Sequence, residues 1–129
     1  QKYIIKALQA NSDNTEFWKK SAFIHFQLNF YEETALGCKN AINLGNHDIL
    51  NWTLWMDSLI LINDWKKALE IGEEALNYHK KNSSVLYRLA GCKFRLGNKN
   101  EALFIFDQIK NNFIIPRYIN HLFPELMKV

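Results

Sequence analysis

Residues 49–82 read ILNWTLWMDSLILINDWKKALEIGEEALNYHKKN, and the fold follows from how this stretch recurs. Trp52 stands 34 residues after Trp18, and Ala75 stands 34 after Ala41, itself 34 after Ala7. Asn29, Asn63 and Gly97 keep the same step, as do Thr34, Ala68 and Ala102. A constant period of this length marks a stack of like helix pairs, none of which can bury its apolar face alone. Within the quoted stretch, apolar residues recur at helical spacing on either side of Asn63 and Asp64, so the unit reads as two amphipathic helices joined by a short turn.

Working outward gives three full units, 15–48, 49–82 and 83–116. Their helices are expected over about 14–28 and 31–44, then 48–62 and 65–78, then from Ser83 to the turn at Gly97 and on to about 111. Asn and Gly at the inner turns suit the left-handed backbone conformation that ends a helix. Residues 1–14 match the second helix of a truncated earlier repeat, so the chain is read as the C-terminal part of a larger repeat protein. At the far end Ile109 replaces the small residue of Ala41 and Ala75, which marks where the standard units stop. Pro124 would cost a fourth helix about 3 kcal/mol. Residues 117–129 are therefore expected to form a capping helix and tail, laying Tyr118, Leu122 and Phe123 over the last apolar face.

The units resemble tetratricopeptide repeats over nearly the whole chain. The first supplies Trp18, Ala22, Tyr31, Cys38 and Ala41 to that family's loose pattern. The second supplies Trp52, Trp65, Ala68 and Ala75, and the third Leu86, Leu89, Ala90, Gly97, Ala102 and Phe106. Met56 and Thr34 depart from it by standing where a small residue is usual, and all three units lack the family's late proline. The resemblance implies an all-α, right-handed superhelical solenoid of antiparallel helix pairs. It also explains the small positions: they sit where helices cross closely, and bulk there costs about 1–3 kcal/mol through overpacking.

The chemistry of the chain points away from catalysis. Its five glycines are isolated, which excludes a phosphate-binding loop, and its four histidines form no HxxxH or HExxH pair. His25 takes an aromatic position of the repeat and is read as a packed core residue. Glu32–Glu33 and Glu73–Glu74 are adjacent on helices and do not face each other, so they read as solvated surface. Cys38 and Cys92 have no metal-ligand or CxxC spacing and read as buried thiols of a reducing, cytoplasmic compartment. No apolar run is long enough to span a membrane. The chain is accordingly expected to be no enzyme, to carry no cofactor or metal, and to bind a protein or peptide.

The resemblance places the partner surface on the first helix of each unit. Carried over, the groove positions are Lys19, Phe23 and Phe26 in the first unit; Thr53, Leu54, Asp57 and Leu61 in the second; and Tyr87, Arg88 and Arg95 in the third. Arg88 and Arg95 lie two helical turns apart beside Tyr87, a set suited to an anionic group on the partner. The carboxylate clamp of chaperone-binding family members is broken here, because Phe23, Leu54 and Ser84 replace three of its five residues while Lys19 and Arg88 remain. Chaperone tails are thus disfavoured. Two other readings stay open: a nucleic-acid role for the basic stretch from Lys80 to Lys99, disfavoured by a net charge of only +3, and self-association through Leu50, Leu54 and Leu61.

Overall fold

The computed structural model describes residues 14–111, 113 and 123–128. The described residues form α1 (Thr15–Gln27), α2 (Tyr31–Asn43), α3 (Ile49–Leu61), α4 (Trp65–Ala75), α5 (Ser83–Arg95), α6 (Lys99–Ile109) and a terminal 3-10 helix (Pro124–Lys128). The chain divides into two compact units, Gln1–Ile62 and Asn63–Val129. In the first, α1 packs on α2, α2 on α3, and α1 also touches α3. In the second, α4 packs on α5 and α5 on α6. The expected segment 1–13 and most of the expected capping helix lie outside the described residues.

The helix boundaries repeat with the sequence period because the capping chemistry does. Asn14, Asp48 and Asn82 each accept a first-turn backbone N–H through the side chain, from Phe17, Leu50 and Val85 respectively. These are the orphan donors that an N-cap side chain satisfies. At the inner turns Asn29, Asn63 and Gly97 all take positive φ, of 64°, 65° and 96°. The following residues close the helix ends, with Phe30 N donating to His25 O and Asn98 N to Lys93 O, both at 2.8 Å. That six-to-one bond around a left-handed residue satisfies otherwise orphaned carbonyls.

Two boundaries differ from expectation. α4 stops at Ala75, short of Tyr78, because Asn77 and Tyr78 donate to carbonyls three residues back, which tightens the chain out of the α-helix. α6 ends at Ile109 instead of 111.

The core of each unit is built on its small residues. Ala22, Thr34, Cys38 and Ala41 are fully buried in the first unit, as is the larger Met56, and Ala68, Ala75, Ala90 and Ala102 in the second. Thr34 is tolerated at its close crossing because its hydroxyl donates to Phe30 O at 2.8 Å. Gly37 shows how tight the α1–α2 crossing is: a β-carbon there would lie 3.0 Å from that of Ala22 and 3.2 Å from the Trp18 carbonyl oxygen. His25 is buried as its position requires, with Nδ1 3.3 Å from the Ser21 hydroxyl and its ring edge-on to Phe30.

Candidate functional site

The partner-facing positions of α1 are largely open. Phe23 is 54% exposed, and Phe26 is half-buried with its ring edge-on to Tyr31 at 5.7 Å. Lys19 is tied down: its Nζ donates to Asp48 Oδ2 at 2.8 Å, linking α1 to the cap of α3. That hydrogen bond holds the ammonium above the usual lysine range. On α3, Leu50 is 52% exposed and Leu54 and Leu61 are half-buried, whereas Thr53 and Asp57 are buried. The first unit therefore presents Phe23, Leu50, Leu54 and Leu61 and withholds two of the polar residues that the repeat position assigned to a partner.

The second unit departs further from expectation. Tyr87 and Arg88 are not open to a partner: Tyr87 is fully buried and Arg88 is 1% exposed. Arg88 Nη1 donates to the Ser84 carbonyl at 2.9 Å and to the Ser84 hydroxyl at 2.6 Å, inside its own helix. The ring of Tyr87 is met by Phe113 at 6.1 Å and, edge-on, by Phe123 at 5.7 Å. Arg95 lies between aromatic rings, with its guanidinium carbon 5.5 Å from the Trp65 centroid and 4.6 Å from that of Phe123. Its Nε donates to Glu125 Oε1 at 2.9 Å.

The start of the terminal segment is thus seated on α5. The residue that admits it is Gly91, where a β-carbon would run into the Phe123 ring. The equivalent positions of the other first helices are Phe23 and Asp57. A glycine in mid-helix costs about 1 kcal/mol relative to alanine and often marks a close approach, and that was the sequence signal for this contact.

The basic stretch does not form a continuous cationic surface. Arg88 is buried, Lys93 pairs with Glu101 at 2.7 Å, and Arg95 pairs with Glu125. Among the described residues no three His, Cys, Asp or Glu side chains gather into a group that would hold a metal ion, and no helix is long and apolar enough to cross a membrane.

These features define a helix-pair repeat fold. Residues 60–113 match the tetratricopeptide repeat family model, and the helix pair before them opens on a side-chain N-cap of the same kind, at Asn14. The crystal structure of YrrB, described as a TPR protein with an unusual peptide-binding site, superposes with a TM-score of 0.69 at 18% sequence identity. The match covers 84% of this chain and 57% of that one, and it shows the fold. Comparison with curated proteins finds no match.

Proposed function

We propose that this chain is a non-catalytic interaction scaffold that binds a peptide segment of a partner protein along α1 and α3, the first helices of its first two repeats. The observation that carries this reading is the state of the first unit, where Phe23 and Leu50 stand more than half exposed on two packed helices that the Lys19–Asp48 pair also joins. Apolar side chains on rigid helices lose little entropy on binding, which favours recognition of an extended or helical segment. Leu54 and Leu61 add half-buried apolar surface to the same helix as Leu50. The likeness to a peptide-binding tetratricopeptide repeat protein supports the same reading. The buried thiols of Cys38 and Cys92 suit a reducing compartment such as the cytoplasm.

The reading is tested by selecting peptides from a random phage-displayed library against the chain. Selected peptides are expected to lose at least about tenfold in affinity, roughly 1.4 kcal/mol, against Phe23→Ala and Leu54→Ala. Selected peptides that bind both variants as they bind the parent chain contradict it, as does a library that yields none.

A further inference from the structure

We propose that α5 carries a recognition site for a peptide with an aromatic residue followed two positions later by a carboxylate, and that Phe123 and Glu125 of the same chain occupy this site until such a peptide displaces them. The inference rests on the reading of the chain as a peptide-binding scaffold and names the ligand class of one of its faces.

Phe123, though outside any regular helix, is fully buried. Its ring rests on the backbone of α5 at Gly91, stands T-shaped to Tyr87 and lies under the Arg95 guanidinium. A cation over a ring face and an edge-to-face aromatic pair each select an aromatic side chain over an aliphatic one of equal area. Two residues on, Glu125 accepts the Arg95 Nε hydrogen bond. Arg95 therefore reads the ring and the carboxylate together, and the 3-10 turn closed by Leu126 N to Phe123 O at 3.1 Å sets the spacing between them.

The arrangement is more specific than cover for an apolar end requires. Burial alone would be met by apolar contacts, yet here a charge-assisted hydrogen bond lies at the rim, with Arg95 and Glu125 side chains 24% and 27% exposed. Such a pair adds selectivity and contributes little to the strength of the seat. Gly91 likewise gives up helix propensity to make a seat for one ring. Phe123 and Glu125 belong to the same chain as the seat and so compete with a free peptide intramolecularly. A free peptide then meets only the fraction of molecules whose seat is empty, which weakens its apparent affinity in proportion.

The test uses a fluorescein-labelled peptide HLFPELMKV, identical to residues 121–129, titrated by fluorescence polarisation against the 129-residue chain and its F123A/E125A variant. Emptying the seat should tighten peptide binding by about tenfold or more. Adding Arg95→Glu to that variant, or replacing the peptide's glutamate with lysine, should remove the gain. Equal affinity for the parent chain and F123A/E125A overturns the inference, as does no binding to an F123A/E125A chain that keeps its helical circular dichroism. Should that variant unfold, E125K leaves the ring in place; a gain of about threefold is then expected, and no gain overturns the inference. If any of these results overturns the inference, phage-selected peptides that still lose affinity to Phe23→Ala show that the scaffold reading stands without it.

Discussion

Gly91 and Phe123 approach so closely that the glycine's missing β-carbon is the space the phenyl ring fills. The contact explains several features of the last unit at once. It accounts for a glycine in the middle of α5, for the burial of Tyr87 behind Phe123, and for the position of Arg95 over the same ring. A helix face that repeat position alone would leave open is covered by the chain itself.

Arg88 and Arg95 should respond differently to charge reversal. Arg88 is buried and bonded within its helix to Ser84, so Arg88→Glu should destabilise the chain by about 3 kcal/mol or more, the scale for an uncompensated buried charge. Arg95 sits at the rim, and Arg95→Glu should cost about 1 kcal/mol, the range of a part-exposed pair. Urea unfolding followed by circular dichroism measures both. Equal midpoints for the two variants would contradict the assignment of Arg88 to the interior.

Asp48 joins two helices, capping α3 through Leu50 N while accepting from Lys19 of α1. Asp48→Ala should lose about 1 kcal/mol from the cap, with less than about 1 kcal/mol more from the exposed ion pair. Asp48→Asn keeps a capping oxygen and should recover most of that loss. Thermal melts of the two variants separate the contributions, and an Asn variant as unstable as the Ala variant would place the effect in the charge.

Cys38 sets an alkaline limit. Burial, and then the Asp57 carboxylate, push its thiol from an ordinary 9.0 up to about 12. The unfolded chain gives up this proton at lower pH than the folded one, so between those values unfolding releases a proton. The contribution is whole below about pH 9 and is lost as pH rises toward 12, with a slope approaching about 1.4 kcal/mol per pH unit. Urea midpoints of the parent chain and Cys38→Ala, compared near neutral pH and at about pH 10.5, isolate this group because its slope disappears from the variant. The native thiol should also resist a disulfide reagent at about pH 8 until urea unfolds the chain.

Gly37 is held between Ala22 and the Trp18 carbonyl, so Gly37→Val should overpack the α1–α2 crossing by about 1–3 kcal/mol. A melting temperature unchanged from the parent chain would mean that the crossing has slack that the geometry does not show.

How much of this was legible in the sequence depended on whether the determinant was local. The caps at Asn14, Asp48 and Asn82 and the left-handed turns at Asn29, Asn63 and Gly97 are set by residues within one turn of themselves, so period and residue type located them. The small crossings at Ala22, Ala41 and Ala75 followed from the same register. Exposure was less accessible. Repeat position puts Tyr87, Arg88, Thr53 and Asp57 on a partner-facing surface, but it cannot say what covers a residue once the chain is packed. Phe123 is more than 30 residues beyond Tyr87 and was expected on the last apolar face, where the period gave no guide to its actual seat. The local signal, Gly91, was present and needed its partner to be interpreted.

A double-mutant cycle on stability measures directly whether the terminal segment is seated on α5 through Gly91 and Phe123. Gly91→Ala should destabilise the parent chain, because the new methyl displaces the ring. In the Phe123→Ala background the same substitution should reverse sign and stabilise by about 0.5–1 kcal/mol, the ordinary helix preference of alanine over glycine. If Gly91→Ala has the same effect with and without the Phe123 ring, the two residues are not in contact and the claim is contradicted.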